Sequence, residues 1–337
     1  MKLTILGAGS FGTAMANHAA AMGHETLLWC RRPEQAEAVN TRKENPEYLK
    51  GVKLHPSLAA SSNLESCLAF SNRLVLAIPA QYQRGVLEAV RLSPAHKRWT
   101  HLLNLAKGIE IGTGCFMHQI ASELLPDASY SVLSGPGHAE EVARRLPTAL
   151  VAASAEERRA VAWQELLNDR HLRVYTSDDV QGVEIGGAMK NVIAIAVGVA
   201  RALEFGDNSV AAIATRGLAE IMRYGAFTGA NPMTFAGLAG IGDMMVTCYS
   251  MYSRNLRFGL AVGRGQSPAE AAAEIGQVIE GMHTCRALVL RARMDEVELP
   301  LSEGIYRVLY ESASITEVLS ELLFRDPKPE SFDIHTA

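Results

Sequence analysis

Lys190 is the only charged side chain between Glu184 and Arg201, in the run Ile-Gly-Gly-Ala-Met-Lys-Asn-Val-Ile-Ala-Ile-Ala-Val-Gly-Val-Ala200. An ammonium among apolar neighbours must find a partner or lower its pKa, because burial disfavours the charged form. A lysine with a lowered pKa can donate and accept protons near neutral pH. The competing reading is a surface-helix lysine whose stem lies on apolar residues with its head in water. Gly186 and Gly187 argue against it: each costs a helix about 1 kcal/mol relative to alanine. Their presence suggests the close approach of another backbone or of a ligand. Asn191 adds a second polar group to the same apolar stretch.

Other groups of matching chemistry lie elsewhere. Lys107 follows the apolar run His101–Ala106, and Asp243 follows Ala239-Gly-Ile-Gly242 at a helix start. A first-turn aspartate is commonly a cap, and a loop lysine is commonly solvated. Ser253-Arg254-Asn255 begins another helix. A hydroxyl, a guanidinium, an amide and free helix N–H groups together suit a phosphate or polyol, although Ser253 also reads as a simple N-cap.

The N-terminal segment holds Gly7-Ala-Gly9-Ser-Phe-Gly12 between the strand-length run Lys2–Leu6 and a helical stretch, Thr13–Met22, closed by Gly23; Glu25–Cys30 reads as a second strand. Strand, G-x-G-x-x-G, helix and strand form the context of a dinucleotide site. The first glycine makes the turn, the second admits the pyrophosphate and the third lets helix and strand pack. Ser10 and Phe11 lie at the tip of this loop. After the second strand, Arg31 and Arg32 stand where an acid usually selects NAD(H). Arginine can grip a 2′-phosphate with two hydrogen bonds, so NADP(H) is the preferred cofactor, with NAD(H) kept possible by Glu34.

Further strands are expected at Arg73–Ile78, His101–Ala106, Tyr130–Leu133, Thr148–Ala152 and Leu172–Tyr175, with helices between several of them. The alternation predicts an α/β Rossmann domain, a doubly wound and mostly parallel sheet, over residues 1–178. Pro79, Lys107 and Gly135–Gly137 then fall at carboxyl ends of strands, where ligands bind. Beyond Asp178 the pattern turns helical, predicting an all-α substrate or catalytic domain over 179–325, with helices from Gln181–Ala202 through Thr316–Phe324. Residues 326–337 read as a polar tail.

The chain has 337 residues and a formal net charge of −4, which gives no support for a nucleic-acid surface. Its five cysteines include no C-x-x-C pair, so neither a metal site nor a disulfide framework is suggested and a reducing cytoplasm fits. The N-terminal apolar run is too short for a signal peptide. The longest apolar stretch, around Val192–Ala200, falls short of the roughly 18 residues a membrane span needs. A soluble cytoplasmic protein without membrane or nucleic-acid partners is expected.

Several ordered segments resemble the bacterial-type NAD(P)-dependent glycerol-3-phosphate dehydrogenase family over nearly the whole chain. They are Gly7–Ala14, Asn104–Gly108, Ser134–Pro136, Gly186–Val192, Thr215–Glu220, Gly237–Asp243, Ser253–Asn255 and Gln277–Gly281. The resemblance implies reversible hydride transfer between NAD(P)H and dihydroxyacetone phosphate, giving sn-glycerol 3-phosphate for phospholipid synthesis, with Lys190 as the catalytic acid/base. It implies a substrate site of Lys107, Gly135, Gly137, Lys190, Asp243, Ser253, Arg254 and Asn255. It implies cofactor contacts from Gly7, Gly9, Ser10, Phe11, Gly12, Arg31, Arg32, Lys107, Ala139, Arg254, Val278 and Glu280. A homodimer is also implied. One departure stands out: the family often has Ser or Thr followed by Phe after Ser134-Gly-Pro, and this chain has Gly137-His138. Alternatives from the same two-domain plan are a β-hydroxyacid or ketopantoate dehydrogenase; from another class, a non-catalytic NADP-binding regulator.

Overall fold

The computed structural model describes residues 1–95 and 101–323. The expected end of the last helix at Phe324 and the polar tail lie outside the described residues. Within them the chain forms two units, Met1–Ala106 with Met117–Val180, and Lys107–Phe116 with the chain from Gln181 onward. A single cut near residue 178 therefore does not describe the division. The short excursion 107–116 belongs with the helical unit because Ile109 and Phe116 join that unit's apolar core.

The first unit is built on an eight-stranded sheet: β1 (Lys2–Leu6), β2 (Glu25–Trp29), β3 (Ala59–Ser61), β4 (Arg73–Leu76), β5 (His101–Asn104), β6 (Ser129–Ser134), β7 (Thr148–Ala153) and β8 (Leu172–Ser177). Their order is β3-β2-β1-β4-β5-β6-β7-β8. All neighbours are parallel except β6 and β7. This is the doubly wound, mostly parallel sheet expected. Only β3 escaped the sequence reading, since three residues of Ala-Ala-Ser carry no strand signal. The chain moves outward from β1 to β2 and β3, then returns to β4 on β1's other side. The end of β1 is thus a topological switch point, where such sheets bind ligands.

The second unit packs around one helix, Val180–Ala202, in which every residue from Gly182 to Ala200 is buried. This helix is long and apolar enough to cross a membrane, which corrects the sequence reading of the longest apolar stretch. Complete burial among other helices accounts for its composition. Its glycines mark backbone crossings. A methyl on Gly198 would meet the Leu256 carbonyl oxygen at 2.4 Å, and one on Gly259 would meet the Ile195 oxygen at 2.2 Å. The Arg254–Gly263 helix therefore lies against the long helix with nothing but hydrogen between the backbones.

Two further details explain sequence segments of no evident chemistry. Buried Glu220, in the Asp207–Phe227 helix, accepts hydrogen bonds from the Leu301 N–H at 2.5 Å, the Ser302 N–H at 3.1 Å and the Ser302 hydroxyl at 2.7 Å. It caps the Pro300–Tyr310 helix from a distance, doing the work that Leu299 at the N-cap position does not. The helix expected from Thr284 instead begins at Glu280. Its N-cap, Ile279, has no capping side chain, so the sequence carries no start signal.

Gly198→Ala tests the crossing. In an open helix the change would stabilise by about 1 kcal/mol. Here the methyl must displace a backbone, and a loss of about 1–3 kcal/mol in denaturant unfolding is expected.

Candidate active site

The long helix presents Gly186 and Lys190 on one face, four residues apart. A methyl on Gly186 would stand 2.4 Å from the carbonyl oxygen of Ala239. Gly186 is therefore the point where the Gly237–Gly242 turn touches the helix. Gly240 makes that turn possible: its backbone is non-helical (φ −101°, ψ −105°), and a methyl there would meet the Phe235 carbonyl oxygen at 2.1 Å. Four residues beyond each contact point stand Lys190 and Asp243, and they meet. Lys190 Nζ donates to Asp243 Oδ1 at 2.5 Å. Another four residues along, Thr247 accepts from Lys190 Nζ at 2.6 Å. The Thr247 hydroxyl donates its own hydrogen back to the Asp243 carbonyl oxygen, also at 2.6 Å, so a lone pair faces the lysine.

Lys107 completes the cluster, donating to Asp243 Oδ2 at 2.7 Å. One carboxylate, 1% exposed, thus serves two lysines. Burial pushes the Asp243 carboxyl up, but the fields of Lys107 and Lys190 and their hydrogen bonds outweigh it, and its pKa lies below the usual carboxylate range. For Lys190, burial is the largest influence and lowers its pKa; Lys107 lowers it further and Asp243 opposes both. The result is about 8. Two of the three ammonium hydrogens are used on Asp243 and Thr247. The third has no acceptor among the described residues, and the side chain keeps 8% exposure. That hydrogen can be offered to a substrate oxygen.

Beside the lysines runs a line of amides. Asn255 Nδ2 donates to Asn191 Oδ1 at 2.8 Å, and Asn255 Oδ1 accepts from the Gly281 N–H at 2.9 Å. Asn191 Nδ2 reaches toward the Lys107 carbonyl oxygen at 3.4 Å. Gly281 must lack a side chain, since a methyl would meet the Asn191 oxygen at 2.5 Å. Asn255 is therefore occupied in joining three segments, with its second amide hydrogen remaining. Ser253 is the N-cap of the Arg254–Gly263 helix and accepts from the Leu256 N–H at 3.2 Å. Arg254, half-buried, reaches Gln277 at 3.5 Å. Glu280 opens the next helix, with Val278 just before it. Lys107, Lys190, Asp243, Ser253, Arg254, Asn255, Val278 and Glu280 all belong to the second unit.

The first unit holds the remaining candidates. Gly7 has φ +113°, and a side chain there would strike the Ala77 carbonyl oxygen; one on Gly12 would strike the Gly7 oxygen. By contrast, a methyl on Gly9 meets nothing within 4 Å. Gly9 is the N-cap of helix α1 (Ser10–Ala21) and supplies no side-chain cap, leaving the first-turn N–H groups of Ser10, Phe11 and Gly12 open. Bare backbone, open space and uncapped N–H groups fit a pyrophosphate. Arg31 and Arg32 are exposed; Arg32 is ion-paired with Glu47, while Arg31 makes no direct ion pair among the described residues. Gly135 has φ +120°. A methyl on Gly137 would stand 3.1 Å from Leu150 Cδ2 and 3.6 Å from the Phe11 ring, so glycine here leaves that space to Phe11. His138 is the N-cap of the short Ala139–Ala143 helix, and Ala139 is buried.

Sequence reasoning missed Thr247, although its spacing of four from Asp243 was a usable signal. It also missed the amide bridge from Asn191 to Gly281, which joins residues far apart in the chain and leaves no local trace.

Family models match both halves of the chain: the N-terminus of NAD-dependent glycerol-3-phosphate dehydrogenase over residues 2–160, and its C-terminus over 179–320. The chain belongs to the NAD-dependent glycerol-3-phosphate dehydrogenase family. Among its relatives, it is 44% identical over 332 residues to glycerol-3-phosphate dehydrogenase (NAD(P)+) of Carboxydothermus hydrogenoformans, covering 98% of each chain. It is 43% identical to the enzyme of that name from Pseudomonas syringae pv. tomato, covering 97% of this chain and 95% of the other. The crystal structure of glycerol-3-phosphate dehydrogenase from Coxiella burnetii superposes with a TM-score of 0.91 at 34% identity, covering 96% and 99%.

Asp243→Asn removes the largest influence that raises the Lys190 pKa while preserving shape. The pH at which Lys190 becomes reactive toward an amine-selective reagent should fall below the wild-type value. An unchanged or higher value would contradict the electrostatic account.

Proposed function

We propose that this protein is a glycerol-3-phosphate dehydrogenase, interconverting dihydroxyacetone phosphate and sn-glycerol 3-phosphate with NAD(P)H and supplying glycerophospholipid synthesis. The observation that carries the reading is the Lys190 ammonium: fixed by Asp243 and Thr247, lowered in pKa, and left with one unshared hydrogen. The nicotinamide, when bound, supplies or accepts the hydride. Lys190 donates its free hydrogen to the carbonyl oxygen of the ketone as negative charge develops there, and takes it back during oxidation of the alcohol. Asp243 and Thr247 hold the nitrogen in place through this cycle. Lys107 adds a second positive charge, so the cluster carries two positive charges against one negative and favours an anionic substrate. Arg254, the remaining Ser253 hydroxyl hydrogen and the second Asn255 amide hydrogen suit the substrate's phosphate and hydroxyls.

The first unit serves as the dinucleotide domain, with Gly7, Gly9, Ser10, Phe11 and Gly12 at the pyrophosphate. Arg31 and Arg32 favour the 2′-phosphate of NADP(H), while NAD(H) remains usable. The second unit carries substrate and proton transfer. The protein works in the cytoplasm as a homodimer.

NADPH oxidation followed with dihydroxyacetone phosphate tests the reading, and absence of turnover at any pH would sink it. Inorganic phosphate and glycerol phosphate should compete, whereas simple hydroxyacids should not; the opposite pattern would favour a hydroxyacid dehydrogenase. Lys190→Ala should lower turnover by about 10²–10⁴-fold, the usual worth of a positioned acid or base. NADPH binding, followed by fluorescence, should stay nearly intact.

The pH dependence has a definite sign. Ketone reduction requires protonated Lys190, so kcat/KM in that direction should fall as pH rises through about 8. Alcohol oxidation requires the neutral amine, so kcat/KM there should rise over the same interval. Parallel profiles in the two directions would exclude Lys190 as the proton carrier.

A further inference from the structure

The glycine loop is held from behind by two amide side chains that neither the family motif nor the sequence reading singled out. Asn45 is fully buried. Its Nδ2 donates one hydrogen to the Ala8 carbonyl oxygen at 2.9 Å and the other to Thr13 Oγ1 at 2.8 Å. Gln35 Nε2 donates to the same Ala8 oxygen at 2.7 Å and leans on Asn45 Oδ1 at 3.4 Å. Asn45 is itself fixed by the turn that follows, where the Leu49 N–H donates to its carbonyl oxygen at 2.9 Å. Both lone pairs of one loop carbonyl are thus taken by side chains from the segment after β2.

The consequence follows from peptide geometry. In a trans peptide the C=O and the following N–H point in opposite directions. Fixing the Ala8 oxygen against Asn45 and Gln35 aims the Gly9 N–H the other way. That N–H has no partner among the described residues, and a methyl on Gly9 would meet only open space. Thr13, bound by the same Asn45, lies one turn into α1, and its N–H donates to the Gly9 oxygen at 2.9 Å. Asn45 therefore joins the loop to the first turn of the helix whose N–H groups face the same opening.

We propose that Asn45 and Gln35 are positioning residues for the dinucleotide pyrophosphate: they set the Ala8–Gly9 peptide so that its N–H is presented to a diphosphate. This rests on the dinucleotide reading of the first unit. Neither residue touches the reacting atoms. Their loss should weaken ligands that carry a pyrophosphate and spare those that do not.

Isothermal titration of the full chain with ADP-ribose and with adenosine 2′-monophosphate, which lacks the pyrophosphate, separates the outcomes. Asn45→Ala should weaken ADP-ribose by about tenfold, the equivalent of one hydrogen bond. Gln35→Met, which keeps the shape without the donor, should act in the same direction. Adenosine 2′-monophosphate should bind both variants as it binds wild type. In turnover, KM for NADPH should rise while kcat at saturating NADPH and KM for dihydroxyacetone phosphate hold. Equal weakening of both ligands, or no weakening of ADP-ribose by either variant, overturns the proposal. Gln35, half-buried, keeps the test decisive should Asn45→Ala fail to fold. If wild type itself does not bind ADP-ribose, the dinucleotide reading fails first.

Discussion

One buried carboxylate holds two ammonium groups in the second unit, that of buried Lys190 and that of partly buried Lys107, and the arrangement of the site depends on it. Asp243 spends each of its oxygens on a different lysine. Without that counter-charge, Lys107 and Lys190 would repel each other in surroundings that screen charge poorly. With it, both stay near one point, and Lys190 keeps a proton that it can release close to neutral pH. The same pairing sets the sign of the site: the excess charge is positive, and an anionic substrate relieves it.

The geometry that brings these groups together is a matter of helical spacing. Gly186 touches the backbone at Ala239, and four residues further along each segment Lys190 meets Asp243. The Gly259 backbone touches Ile195, and four residues earlier on each helix Asn255 meets Asn191. In both cases a glycine removes the side chain at the crossing, and one helical turn away the polar pair falls into register. The glycines and the polar residues are therefore parts of the same device. A methyl at either crossing would separate the backbones and pull the corresponding hydrogen bond apart.

Much of this was legible in the chain. The alternation of strand-length and helical stretches pointed to the parallel sheet, and the glycine spacing between strand and helix placed the dinucleotide loop, because those signals are local. Lys190 stood out because burial of a charge is costly wherever it occurs. Less legible were the partners. Asp243 reads equally well as a cap, Ser253 does serve as one, and the remote capping of the Pro300–Tyr310 helix by Glu220 has no local signal. The excursion of residues 107–116 into the helical unit also left no compositional mark.

By itself, then, the sequence determined the class of fold, the position of the glycine loop and the identity of the lysine under strain to find a partner. Periodicity, turn chemistry and the cost of burying charge act within short stretches, so a reader of the chain can follow them. Only the tertiary structure decided that Asp243 serves both Lys107 and Lys190, that Thr247 takes a second lysine hydrogen, and that Asn45 and Gln35 grip the Ala8 carbonyl. Such hydrogen bonds join residues separated by tens of positions or more, and their existence depends on backbone crossings whose register no local pattern records.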